Sequence, residues 1–69
     1  MLLPNLKYYR MLAGYTQRDL AEAAGVNRVT VANLELGRSH VGPHTLKKLA
    51  DALGVSTREL VEPLQSDSA

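Results

Sequence analysis

The sequence predicts an all-α fold of five short helices, on three kinds of observation. Apolar residues recur at spacings of three and four, as in Leu46, Leu49, Ala50 and Leu53, and nowhere alternate as a half-buried strand requires. Residues that cap helix starts, Thr16, Asn27 and Ser56, stand just before such runs. Glycine follows them, at Gly14, Gly25 and Gly54, where a residue without a Cβ enters the left-handed conformation of a helix end. A chain of 69 residues has room for one domain. It buries only about 60% of its unfolded surface, so a near-continuous set of core positions is needed.

The first helix is expected over residues 5–13, with Leu6, Tyr9 and Ala13 on one face. Tyr8 and Met11 point elsewhere, and packing or edge coverage is the expected role of these two and of Tyr15. The second helix is expected over 17–24. The Thr16 hydroxyl can accept from the Asp19 amide while the Asp19 carboxylate returns a bond, a capping box. Leu20, Ala21 and Ala24 form its inward face, and Val26 packs inward in the turn after Gly25. Asn27 caps the third helix, 28–35, with Val31 and Leu34 buried and Arg28, Val29, Ala32 and Asn33 on or near the outer side. An exposed Val29 needs a reason outside helix propensity, since β-branched residues are mediocre helix formers; a partly buried Val29 would be ordinary packing. Residues 36–42 make the longest connection. Pro43 suits the first position of the fourth helix, where a missing N–H costs nothing. Gly54 closes that helix and Val55 again packs inward. Ser56 and Glu59 form a second capping box, opening a short fifth helix with Leu60 and Leu64, which Pro63 limits. The domain is thus expected over 1–64, and residues 65–69 read as a disordered tail.

Composition excludes several classes. With no cysteine there are no disulfides or thiolate metal sites. His40 and His44 alone do not make a zinc site, so no metal and no cofactor are expected. The chain has no set of histidine, carboxylate and nucleophile, no paired acids in a cleft and no glycine-rich phosphate loop, so it is not expected to be an enzyme. The opening MLLPNLKYYRML lacks the layout of a secretion signal, and no apolar run approaches the roughly 20 residues of a membrane span. A cytoplasmic protein is expected. The net charge is only +1 but unevenly spread. Residues 1–50 carry seven cations (Lys7, Arg10, Arg18, Arg28, Arg38, Lys47, Lys48) against Asp19, Glu22 and Glu35, or +4. Residues 51–69 carry Arg58 against Asp51, Glu59, Glu62 and Asp67, or −3. An anionic partner would meet the first fifty residues.

The informative unit is Thr16 through Gly37, TQRDLAEAAGVNRVTVANLELG. Two helices of about two turns, joined through a glycine, must cross steeply, roughly 90–120° apart, as in a helix-turn-helix. Ala21 is small where they approach most closely, and Leu20, Val26, Val31 and Leu34 fill the wedge between them. The third helix is left protruding. A helix fits the DNA major groove, about 12 Å wide, with its first residues reaching base edges. Free amides at helix starts suit phosphate oxygens, so binding need not depend on a large net charge.

These residues resemble the helix-turn-helix family of phage Cro and repressor proteins, also called XRE-like. The pattern stands as Thr16-Gln17, Leu20-Ala21, Gly25-Val26, Thr30-Val31, Leu34-Glu35 and Gly37. It extends outward through Leu6, Tyr9 and Arg10 on one side. On the other it runs through Thr45-Leu46, Leu49-Ala50, Ala52 to Ser56 and Glu59-Leu60, covering about residues 5–62. The resemblance implies a compact lambda-repressor-like domain and a role for each matching residue. Gln17 matches a position that contacts DNA and braces the recognition helix. Arg28, Val29 and Asn33 match the base-reading positions. Asn27 and Thr30 match positions that touch phosphate beside the groove. Arg38, His40 and His44 lie where the following loop and helix start approach the DNA backbone. Arg10 and Glu35 match a pair that forms an interior salt bridge in some members. Arg28 suits guanine O6 and N7, Val29 a thymine methyl, and Asn33 adenine or phosphate. The chain departs from the family at Leu36, where Asn is common, at Val41, where Pro is common, and at Gly42, which replaces a Ser cap. Leu36 is then either core at the base of the third helix or part of a small contact patch.

The function so implied is sequence-specific binding of double-stranded DNA by a transcriptional regulator, a repressor that acts by occupying its operator. One helix reads about four or five base pairs, so a homodimer on an inverted repeat, with half-sites about 34 Å apart, is expected. Leu60, Val61 and Leu64 can supply the dimer surface, although Leu60 also reads as core. The alternative is an antitoxin or a phage or plasmid accessory module whose main partner is another protein.

Overall fold

The computed structural model describes residues 1–62. They hold five helices: α1 Leu6–Leu12, α2 Gln17–Ala24, α3 Arg28–Glu35, α4 Pro43–Leu53 and α5 Thr57–Val61. Among the described residues there is no strand, and no helix is long and apolar enough to cross a membrane.

Local chemistry accounts for the helix starts. The Asp19 amide donates to Thr16 Oγ1 and the Thr16 amide to Asp19 Oδ2, each at 3.0 Å. Ser56 and Glu59 repeat the exchange at 3.1 Å. Asn27 Oδ1 accepts from the Val29 amide at 2.7 Å, satisfying one of the donors that the start of α3 would leave open. Pro43 is the first residue of α4.

The turn between α2 and α3 depends on Gly25. Its φ of 72° lets the Val26 amide reach the Ala21 carbonyl at 2.9 Å and its own amide reach Glu22 at 3.3 Å. Two carbonyls at the helix end are satisfied and the chain reverses within three residues. A Cβ added at Gly25 would meet nothing within 4 Å, so the requirement is one of backbone conformation, not of space.

Leu6, Leu20, Val31, Leu34, Leu49 and Leu60 are fully buried, with Leu3, Ala21, Ala24, Val41 and Ala50 completing the core. Tyr9, Tyr15, Val26, Leu46, Leu53 and Val55 pack around it, half-buried. Helix α2 lies in the middle, packed on α3 and α4, with α5 against α4 and α1 against α3. This arrangement leaves one side of α3 with no helix over it.

Several expectations are corrected. Helix α1 is shorter than 5–13: it ends at Leu12, and Ala13 is exposed at the cap position because the chain turns away at Gly14. Asn5 precedes α1 but makes no cap bond there. Its side chain is buried, and Nδ2 donates to the carbonyls of Glu59, at 2.8 Å, and Glu62. Those carbonyls close the last turn of α5, where the helix itself supplies no donor. Leu3 joins the core and the Met1 carbonyl accepts from the Val41 amide at 2.7 Å. The first five residues thus tie the 36–42 connection to α5. Leu60 is core and leaves nothing for a second copy to touch, while Leu36 is exposed. Leu64 and the expected tail 65–69 lie outside the described residues.

Two outcomes follow from this packing. Leu34→Ala opens a cavity beneath α3 and is expected to cost about 2–5 kcal/mol. Leu36→Ala, two residues on but outside, is expected to change stability by no more than about 0.5 kcal/mol in urea denaturation. The second concerns Asp19, whose carboxyl is held below its ordinary value by the backbone N–H and hydroxyl of Thr16. A carboxyl lowered by folding contributes stability above its ordinary pKa, about 3.9, and loses it as pH falls through the lowered value. The gap in urea midpoint between the native chain and Asp19→Ala is therefore expected to be constant near neutral pH and to narrow in acid. A gap that widened as pH fell would contradict this.

Candidate nucleic-acid interface

Glu35, the last residue of α3, is where three helices meet. Its Oε2 accepts from Arg10 Nε of α1 at 2.5 Å, and its Oε1 from Arg10 Nη2 at 3.2 Å. Oε1 also accepts from Gln17 Nε2, on the first residue of α2, at 3.0 Å. Arg10 Nη1 reaches back to the Tyr15 carbonyl at 2.7 Å, fastening the turn between α1 and α2. The Arg10 and Glu35 side chains are only 11% and 4% exposed. Such burial is tolerable because the guanidinium meets the carboxylate with two donors and the remaining groups find partners. No buried side-chain nitrogen or oxygen among the described residues lacks one.

The cluster fixes the end of α3 while the Gly25 turn fixes its start. Val31 and Leu34 point into the core, so the other side must face out. Arg28 is exposed at the first position and Val29 is 57% exposed beside it. Thr30, Ala32 and Asn33 are half-exposed. Arg28, Val29 and Asn33 therefore come together on the unpacked side of α3. Asn27 is exposed and its side-chain oxygen is occupied as the cap, which leaves its amide nitrogen to donate. Gln17 is half-buried; with one N–H committed to Glu35, its carbonyl oxygen and second N–H remain. Arg38 is exposed, and its backbone amide closes α3 on the Asn33 carbonyl at 2.9 Å. His44 is exposed as the second residue of α4. His40 is exposed but engaged: its Nδ1 lies 2.9 Å from the Met1 amino nitrogen, leaving Nε2 for any other partner.

Charge separates the surfaces. Glu35 is the only acid in α3, and it is turned inward. Arg18, Lys47 and Arg58 each face a carboxylate four residues on, Glu22, Asp51 and Glu62. Among the described residues Arg28 and Arg38 have no such partner, nor do Lys7 of α1 and Lys48 of α4. The outer side of α3 is thus flanked by unneutralised cations and presents no exposed carboxylate, a surface suited to a polyanion. No group of three histidine, aspartate or glutamate side chains among the described residues could hold a metal ion.

The exposure of Val29 was left open by sequence reasoning, and so was that of Leu36, which is exposed. Its spacing of seven from Val29 was the available signal. The ties of Met1 and Asn5 had none, since their partners lie 40 and 54 or more residues away.

A family profile described as helix-turn-helix matches residues 6–60. A hypothetical transcription factor of Neisseria meningitidis is 32% identical over 65 residues, which are 94% of this chain and 61% of that protein. The chain therefore spans less than two thirds of that relative's length. Among solved structures, the restriction-modification controller protein C.AhdI from Aeromonas hydrophila superposes with a TM-score of 0.79 at 36% identity, over 81% of this chain and 85% of that one. The biofilm master regulator SinR, of Bacillus subtilis, solved in complex with DNA, superposes with a TM-score of 0.81 at 30% identity, over 84% and 94%.

Removing one member of the buried pair leaves the other desolvated and unpaired. Arg10→Met is expected to destabilise the chain by about 3–5 kcal/mol. Arg10→Met combined with Glu35→Leu, which removes both charges, is expected to recover much of that loss. Equal urea midpoints for the single and double variants would show that an unpaired Glu35 carboxylate is not the source of the loss.

Proposed function

The chain belongs to the helix-turn-helix family of Cro and phage-repressor proteins, and from that premise we propose that it is a sequence-specific regulator of transcription that works by occupying its operator. The observation that carries this reading is the outer side of α3, with Arg28, Val29 and Asn33 presented together and its only acid buried. Helix α3 enters the major groove by its first turn. Arg28 donates two hydrogen bonds to a guanine, Val29 packs on a thymine methyl, and Asn33 pairs with adenine or phosphate. Gln17, Asn27, Thr30, Arg38, His40 and His44 touch the sugar-phosphate backbone and set the register. Bound in this way the protein represses by exclusion, without catalysing a reaction.

One helix of eight residues covers too few base pairs to single out a site, so two copies bind an inverted repeat. With Leu60 in the core, Val61 is the residue of the expected dimer surface that remains accessible among the described ones. A second reading, in which another protein is the main partner, draws on Tyr8, Met11 and Leu12, three apolar side chains exposed on α1.

Selection of bound duplexes from a random pool tests the first reading. A consensus with two-fold symmetry is expected. Arg28→Ala should then relax the choice of one base pair per half-site, a loss of about 1–3 kcal/mol of discrimination. Arg38→Ala should weaken all sequences alike and reduce the salt dependence of binding by about one phosphate contact. A pool that yields no preferred sequence would overturn the proposal.

A further inference from the structure

The outer side of α3 continues beyond the three residues given to base reading. Val29, Ala32, Asn33 and Leu36 stand at spacings of three, four and seven, which places them in one band along the helix. Val29 and Leu36 are 57% and 63% exposed, and Ala32 and Asn33 are half-exposed between them. Three of the four are apolar, whereas a helix side that meets only water is ordinarily polar. The band is bracketed by Arg28 and Arg38, both exposed and without a carboxylate partner among the described residues. Cations flanking an apolar strip match a groove whose walls are phosphate. Within the major groove, the apolar feature that distinguishes one base edge from another is the thymine C5-methyl group.

We propose that Ala32 and Leu36 extend the reading surface, and that this helix selects its half-site chiefly through thymine methyl groups. The inference rests on the DNA-binding reading above and specifies what that surface recognises. Val29 and Leu36 are seven residues apart, a rise of about 10 Å. That distance spans about three base-pair steps of roughly 3.4 Å each. The half-site therefore carries thymines, on either strand, about three base pairs apart, with the guanine read by Arg28 at the Val29 end. Leu36 has no intramolecular duty that competes with this one: it lies outside the core, one residue past Glu35. Ala32 keeps the middle of the band low, so that the larger side chains at both ends reach the groove floor together.

The test uses duplexes selected from a random pool, resynthesised with deoxyuridine in place of each thymine in turn. This change removes one methyl group and keeps every hydrogen-bonding atom. At two positions about three base pairs apart, the native chain should bind the uracil duplex about fourfold more weakly, the value of one buried methyl-sized group. Leu36→Ala should lose that sensitivity at one position and Val29→Ala at the other. Both residues are exposed, and an unchanged urea midpoint will confirm that the variants are folded. Full binding of every uracil duplex by the native chain would overturn the inference while leaving sequence-specific binding intact. So would a Leu36→Ala variant that binds like the native chain, or one that weakens thymine and uracil duplexes alike. If no sequence is preferred at all, the DNA-binding reading itself fails, and this inference with it.

Discussion

The two oxygens of Glu35 hold together elements that apolar packing alone would leave free to slide. Oxygen Oε2 takes the Arg10 Nε of α1; Oε1 takes Arg10 Nη2 and the Gln17 amide of α2. The carboxylate belongs to the last turn of α3. Apolar contacts decide which side of a helix faces out but hold it loosely against small rotations, whereas a guanidinium fork and an amide have fixed directions. In a helix of eight residues that buries only Val31 and Leu34, that difference matters. Two buried side chains define a line of contact, and a directional third point is needed to fix how the outer side is aimed. A buried ion pair is weak evidence for net stability, since apolar replacements can do as well. Its contribution here is angular: it narrows the rotation of α3 that Val31 and Leu34 allow, and so what Arg28, Val29 and Asn33 face.

The opposite end of α3 is fixed by the short connection to α2 and its hydrogen bonds. Gly25 and the Asn27 cap place the first turn of α3 within three residues of the end of α2. The steep crossing of the two helices follows from that short connection. Restraint at both ends lets the helix stand away from the core without fraying, which eight residues in isolation would do. The same restraints explain why the exposed side can be spent on apolar groups. Stability comes from the Asn27 cap and the buried row, and orientation from Glu35, so the outer positions carry little structural demand. Leu36, an apolar residue found there, is exposed and contributes nothing to the buried core.

How much of this is legible in the sequence depends on distance along the chain. Thr16 with Asp19, Ser56 with Glu59, Asn27 with Val29 and Pro43 act within three residues of themselves, and a reader needs no fold to see them. The inward rows, Leu20 with Ala24 and Val31 with Leu34, follow from helical period. Arg10 and Glu35 are 25 residues apart, and spacing alone does not pair them; the family resemblance does. Asn5 shows the limit. It falls inside the expected first helix, 5–13, yet its amide is drawn 54 residues away to α5, where buried carbonyls need a donor. Leu3 and Met1 were illegible for the same reason. Ala13 failed differently: it fits the apolar period, but the chain has already turned at Gly14, and period carries no information past a helix end. Leu36 could be placed on the outer stripe by counting, but whether it was covered depended on the path of the 36–42 connection, which the departures at Val41 and Gly42 had obscured.

The weak net charge of +1 is in keeping with this division of labour. Non-specific affinity for DNA scales with the number of phosphates neutralised, so a strongly cationic domain binds everywhere. Here Arg18, Lys47 and Arg58 lean on carboxylates of their own helices, while Arg28 and Arg38 are left over on the α3 side. A surface with few free cations and an apolar reading strip gains little on an arbitrary sequence. On the proposed reading its favourable contacts would be realised only where base edges present methyl groups and a guanine at the matching positions. Each copy would then discriminate better than it adheres, and the second copy proposed on the inverted repeat would supply the missing affinity. The charge balance and the shortness of α3 are in this sense consistent with the proposed two-fold operator, in which each half is weak and selective.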